Sequence, residues 1–248
     1  EDNVASLANN SLEMTCVNST ILNTISPSTM MLACPALFAN EEECDAVLAS
    51  EWGQNFWDNV AKESGVRVLS AFCNGMRSFT TSNKELTTVD SAKGVTFRVM
   101  PSAVYEKMVE AIGANPVPMP GSEMYTAMQN GTVDGQENPI ETIWNSQYYD
   151  VQDYLTLTNH LCTAGGVYCN NAWYESLSDE FKAAFDKAAE VAQAYSIEEL
   201  NSSEADVLAQ LSEVMQVTEL TDEEMDAFVT AAKESWPALV EQVGADYM

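Results

Sequence analysis

Residues 94–139 read GVTFRVMPSAVYEKMVEAIGANPVPMPGSEMYTAMQNGTVDGQENP, and this stretch decides the fold. Residues 95–99 are β-branched and aromatic after a glycine, which predicts a strand. Pro101 and Ser102 open a helix whose stripe is Val104, Met108 and Ile112, and Gly113 stops it. Residues 115–120 hold three prolines, which fix φ and push their neighbours to extended geometry. Gly121 and Ser122 restart a helix with Glu123 in its first turn, where the helix dipole favours an acid. Asn130-Gly131 ends that helix, and residues 133–138 run on as a strand or turn. Strand, helix, strand, helix, strand is the repeating unit of an α/β protein.

Outward from this stretch the alternation continues. Toward the N-terminus, residues 1–11 read as a helix end and 12–17 as a strand. Residues 18–28 form a polar loop of the kind on which α/β folds bind ligands. Asn40 and Glu43 make a capping box for a helix expected to reach Ser64, end at Gly65 and bury Val47, Trp52, Phe56 and Val60. Residues 66–73 are too apolar for a strand with one wet face, so a central strand is expected. Asn74-Gly75 is read as a turn before a second extended segment, 76–81, and residues 87–93 as a loop. Toward the C-terminus a helix over 140–147, strands over 155–160 and 167–171, and a long helix from Ser178 toward Val214 are expected. That helix carries Phe181, Phe185, Ala188, Ala192 and Tyr195 on one stripe. A short strand over 215–218 follows, then a helix capped by Thr221 and Glu224 and interrupted at Trp236-Pro237.

The 248 residues carry 38 acids and 10 bases, a net charge of −28. Such a chain is repelled by nucleic acid and by anionic membranes; the acids read as a solvated surface, with a basic docking partner as the other reading. The acids crowd the C-terminal part, where Lys233 is the one base after residue 197. No run of about 18 apolar residues is present, and the first ten residues lack the basic and apolar segments of a signal peptide. Six cysteines allow up to three disulfides; the pairs Cys162–Cys169, Cys34–Cys44 and Cys16–Cys73 are suggested by sequence proximity and by apolar runs, with buried free thiols as the alternative. With no Cys-x-x-Cys or Cys/His cluster, no zinc and no cofactor are expected.

The strings FRV, IGANPVPMP and SEMYTAMQNGTVDGQENP resemble, in order and spacing, the substrate-binding proteins of TRAP (tripartite ATP-independent periplasmic) transporters, the DctP-type family. The resemblance implies an α/β, two-lobed periplasmic-binding-protein-like fold with crossing strands and a long helix spanning the hinge. It assigns residues 1–74 with 163–205 to one lobe and 75–162 with 206–248 to the other. Family members begin with a strand–helix–strand unit ahead of the point where this sequence starts, so the first lobe is expected to be incomplete. The implied role is an exported, periplasmic or extracellular receptor, monomeric and not an enzyme. Its expected partners are a small organic acid and the membrane subunits of a TRAP transporter.

By the same resemblance Arg98, in FRV, pairs with the ligand carboxylate, since a guanidinium offers two parallel N–H groups to it. Arg77 and Asn138 are further contacts, Glu123 and Glu137 would hold an arginine fork, and Trp144, with Phe72 and Tyr168, would wall the cleft. Each has a plainer reading: surface salt bridge, turn residue before Pro139, helix-start acid or core aromatic. Arg67 and the single histidine, His160, read as structural. With one histidine and no Gly-x-Ser-x-Gly, acyl-transfer chemistry is poorly supported. An alternative from another class stays open: an extracellular assembly or adhesion protein that accepts a strand at an exposed sheet edge.

Overall fold

A computed structural model describes residues 2–243; residue 1 and residues 244–248, the ends of the expected lobes, lie outside the described residues. The elements follow one another as α1 (Asp2–Ala8), β1 (Met14–Asn18), α2 (Glu41–Ala49), α3 (Glu51–Ser64), β2 (Val66–Thr81), β3 (Thr96–Val99), α4 (Ala103–Ala111), β4 (Asn115–Pro118), α5 (Gly121–Gln129), β5 (Gly135–Pro139), α6 (Ile140–Asn145), β6 (Tyr154–Asn170), α7 (Asn171–Ser176), α8 (Asp179–Val214), β7 (Gln216–Glu219), α9 (Asp222–Lys233) and α10 (Trp236–Val243). The sheet order is β1-β6-β2-β5-β3-β4, with β7 also on β6. β1, β6, β2 and β5 pair antiparallel, whereas β3 runs parallel to both β4 and β5. The fold is α/β with two lobes, as expected, and the apolar strand over 66–73 is central.

β2 and β6 are each much longer than the segments read from sequence. β2 runs straight through Asn74-Gly75, and β6 joins the two late strands into one. A register shift between Cys73 and Met76 absorbs the extra residues. Gly75 sits in this bulge with φ +95°, and a Cβ there would meet Pro139 Cβ at 2.9 Å. The glycine therefore serves a bulge within a strand rather than a turn between strands. The two strands run side by side over most of their length.

Buried apolar side chains fall into two clusters. One gathers Leu22, Phe56, Trp57, Phe79, Phe97, Tyr105 and Met108, and includes Leu239 near the C-terminus. The other gathers Met124, Met128, Ile143, Leu155 and Leu211. Each fully buried Leu, Ile, Phe or Met side chain contributes about 1.5–3 kcal/mol, so either cluster is a core in its own right. α8, 36 residues long, reaches roughly 54 Å at 1.5 Å per residue. Its first half bonds to β2 through Gln193 Nε2 and the Ala71 carbonyl, 2.9 Å apart, and its second half enters the second cluster at Val207 and Leu211.

Several local expectations are corrected. The helix over 40–64 is two helices: Ser50 ends α2 and caps α3, its hydroxyl accepting from Gly53 N. The break rotates Trp52 outward to 45% exposure, and Trp57 takes the buried place. The stripe on α8 is not covered either, with Phe181 60% and Tyr195 62% exposed; Ala189, at the edge of the stripe one turn from Phe185, is buried. The polar loop over 18–28 and the loop over 87–93 contain 3₁₀ turns at Ser19–Thr24, Pro27–Ala33 and Val89–Ala92.

None of the suggested cysteine pairs forms; the disulfide is Cys73–Cys162, linking β2 to β6 with Cα atoms 6.7 Å apart. Cys162 and Cys169 lie on one extended strand, roughly 23 Å apart at about 3.3 Å per residue, beyond any bridge. Cys16 and Cys73 sit on strands separated by β6. Cys44, buried on α2, lies with its sulfur within 4.8 Å of those of Cys73 and Cys162, a grouping of three that no local motif announces. Two of these sulfurs are joined to each other, which leaves Cys44 as the one thiol.

Candidate functional site

The carboxyl ends of β3 and β4 open onto a cleft of about 410 Å³. Arg98, on β3, stands in its wall although the residue is only 4% exposed. Its side chain is fixed by the backbone: Nε and Nη2 both donate to the Met119 carbonyl, at 3.1 and 2.9 Å. The parallel pairing of Arg98 with Val117 brings that carbonyl alongside. The fork is thus held in place while the rest of its N–H groups stay available. Burial holds the Arg98 pKa below its ordinary value, opposed by the negative charge of Glu137 and reinforced by Arg77.

Two helix starts meet the same cleft. α4 begins just after Met100, Pro101 and Ser102, and α5 follows Pro120 with Gly121 and Ser122 in its first turn; all of these line the cleft. First-turn amides have no intrahelical acceptor and carry the positive end of the dipole. The proline-rich segment between the helices is what turns α5 back toward Arg98. From across the cleft come Asn3, Thr20 and Ile21, of α1 and the 3₁₀ turn after β1. Asn23 Nδ2 donates to the Ser102 hydroxyl oxygen at 3.0 Å, leaving the hydroxyl proton free to point elsewhere. A buried guanidinium, two helix N-termini and neutral hydroxyl and amide groups make an environment suited to an anion.

Arg77, Glu137, Asn138 and His160 form a buried network in the β2–β5–β6 region of the sheet. Arg77 Nε donates to Glu137 Oε2; Nη2 donates to Glu137 Oε1 at 2.9 Å, to the Glu137 carbonyl at 2.6 Å and to Asn138 Oδ1 at 3.0 Å. Asn138 Nδ2 in turn donates to Gln136 Oε1. Arg77 faces the Tyr105 ring at 5.4 Å. Burial works against charge on both members of the ion pair. For Arg77 the attraction of Glu137 outweighs it and raises the pKa; for Glu137 the neighbouring charge and hydrogen bonds of Arg77 outweigh it and hold the pKa down. His160 Nε2 lies 3.6 Å from Glu137 Oε2, outside hydrogen-bond range, while Nδ1 shares a hydrogen bond with Thr158 Oγ1 at 2.7 Å and the ring stacks on Phe79. Burial keeps its pKa below the ordinary value, against the pull of Glu137.

Of the six residues singled out from sequence, Arg98 lines the cleft; Arg77, Glu137 and Asn138 are brought together, and the charges of Glu137 and Arg77 act on Arg98. Glu123 is exposed on α5, and Trp144 is half-buried, its ring 5.0 Å from that of Tyr149. Tyr168 is core, bonded to Ser19 at 2.7 Å and packed on Trp57. Phe72 is half-buried on β2. Arg67 is structural: it bonds Asn171 at 3.0 Å and Glu175 at 2.9 Å across the Tyr174 ring. The residues sequence reasoning missed are Asn3, Thr20, Ser102 and Ser122. Their signal was present in part, as the polar stretch after the first strand and the two serines at helix starts.

The family model for bacterial extracellular solute-binding protein, family 7 (DctP), matches residues 1–242. The 2,3-diketo-L-gulonate-binding periplasmic protein YiaO of Escherichia coli (strain K12) is 32% identical over 171 residues, 69% of this chain and 52% of the relative. The C4-dicarboxylate-binding periplasmic protein DctP of Shewanella loihica is 31% identical over 216 residues, 86% of this chain and 63% of the relative. The chain thus spans between about half and three fifths of these curated relatives. The crystal structure of the sugar acid binding protein DctPAm from Advenella mimigardefordensis, in complex with galactonate, superposes with a TM-score of 0.93 at 32% identity, covering 99% of this chain and 79% of that one.

Proposed function

Because the chain belongs to the family 7 bacterial extracellular solute-binding proteins, matched over residues 1–242, we propose that it is a periplasmic receptor that captures a small organic acid. It binds the acid without turning it over and hands it, as a monomer, to the membrane subunits of a TRAP-type transporter. The observation that carries this reading is Arg98: a buried cation locked to a backbone carbonyl, with its free N–H groups at a cleft bordered by two helix N-termini. The carboxylate pairs with that guanidinium. Arg77, Glu137 and Asn138 form the rigid polar support behind it.

In the division of residues 1–74 with 163–205 against 75–162 with 206–248, the cleft lies between lobes. Thr20 and Ile21 face Arg98 and Ser122 across it. Closure of the lobes buries the ligand, with α8 and the crossing strands β2 and β6 as the flexing parts. Periplasmic binding proteins among the relatives, named for a diketo sugar acid and for C4-dicarboxylates, support the ligand class.

Native mass spectrometry of the protein as purified tests the reading, followed by thermal melts with a panel of organic acids. A co-purified acid, or a melting temperature raised by at least one acid, is expected. A bare protein mass together with no shift from any acid in the panel overturns the proposal.

A further inference from the structure

Two arginines sit in or beside the cleft, yet only one has charge to spare. Arg77 is enclosed by a single acid: both Glu137 oxygens and its carbonyl accept from the guanidinium, and neither side chain reaches solvent, at 2% and 0% exposure. The pair is internally neutral. Arg98 makes no contact with a carboxylate; its fork is anchored on a carbonyl, which removes no charge. His160, whose Nε2 lies 3.6 Å from Glu137, is fully buried, which disfavours its charged form. The network therefore presents one net positive charge. Elsewhere the cleft wall is uncharged among the described residues, and its polar groups are the amide of Asn3 and the hydroxyls of Thr20, Ser102 and Ser122.

We propose that the cleft selects acids with one carboxylate and several hydroxyl groups, the aldonate class, and discriminates against dicarboxylates. The inference rests on the receptor reading and narrows its ligand. One carboxylate satisfies Arg98. A second carboxylate would meet hydroxyls and helix N-termini but no second cation among the described residues of the wall, and partial dipole charges offset only part of the cost of desolvating a full charge. A hydroxyl on the ligand meets the opposite situation, because neutral donors and acceptors lose little when they replace water by one another. The chain's net charge of −28 works in the same direction, since a dianion is repelled twice as strongly as a monoanion within the roughly 8 Å over which salt leaves the field unscreened.

Isothermal titration of the full chain with galactonate, gluconate, succinate, malate and uncharged galactitol tests this. At least one aldonate is expected to bind ten-fold or more tightly than succinate and malate, and galactitol not at all. Ser102→Ala and Thr20→Val, which remove hydroxyls from the wall while leaving Arg98 in place, are each expected to weaken the aldonate about 2- to 12-fold. Neither should change the weak binding of unhydroxylated pentanoate. Succinate or malate binding as tightly as the best aldonate overturns the selectivity while leaving the receptor reading intact. So does loss of pentanoate in step with the aldonate in both variants. If no acid binds, both the selectivity and the receptor reading fall.

Discussion

Removing the Arg98 side chain is the sharpest perturbation available. The guanidinium is 4% exposed, so a bound carboxylate shares a site already stripped of water. Truncating one partner of a desolvated, hydrogen-bonded charge pair costs about 2–5 kcal/mol. At about 1.4 kcal/mol per factor of ten, Arg98→Ala is expected to weaken the ligand by about 30-fold to several thousand-fold. Arg98→Lys keeps the charge but loses the two-pronged bond to the Met119 carbonyl and the planar fork, so it should fall between wild type and alanine. Isothermal titration with the acid identified by mass spectrometry reads the affinity. A thermal melt of each unliganded variant confirms that the fold persists, which is expected because Arg98 has no acidic partner to strand. Wild-type affinity in a folded Arg98→Ala protein would refute the reasoning outright.

Other perturbations follow from the buried network and the crossing strands. Glu137→Gln leaves Arg77 charged and uncompensated and is expected to cost about 3–5 kcal/mol, a fall of roughly 6–20 °C in melting temperature at about 2–4 °C per kcal/mol for a domain of this size; an unchanged melt would show that the ion pair is not holding the sheet. Glu137 and His160 are both held below their ordinary 4.5 and 6.5. Each therefore takes up its proton more readily when unfolded, so stability present above those values is lost on acidification. Unfolding midpoints should decline first below about pH 6.5, from His160, and again below 4.5, from Glu137; His160→Gln should abolish the first decline. Gly75→Ala forces a side chain into a φ of +95° and onto Pro139, expected to cost about 1–3 kcal/mol in urea unfolding. Peptide mapping without reductant should recover Cys73 linked to Cys162, with four other thiols; reduction should cost about 2–4 kcal/mol.

Much of this fold was legible because local signals agreed with one another. Gly113, the prolines over 115–120 and the capping box at Thr221 punctuate elements whose apolar stripes are equally clear. Failures came where tertiary context overrides a local cue. Asn74-Gly75 is a strong turn signal, yet pairing with β6 on one side and β5 on the other keeps the strand going and turns the glycine into a bulge. Ser50 looks like a mid-helix residue until its hydroxyl is seen capping the next helix. Phe181 and Tyr195 make an apolar stripe on α8 that no other described element covers. At the candidate site, the family resemblance pointed to Arg98, Arg77 and Asn138. Their division of labour did not show in sequence, because it depends on which side of Arg77 carries Glu137, a fact of strand register.

The link between Cys73 and Cys162 joins the two longest strands close to their bulge. A rivet at that point fixes the register of the pair, so neither strand can slip lengthwise past the other without breaking it, and any bend in one is imposed on its neighbour.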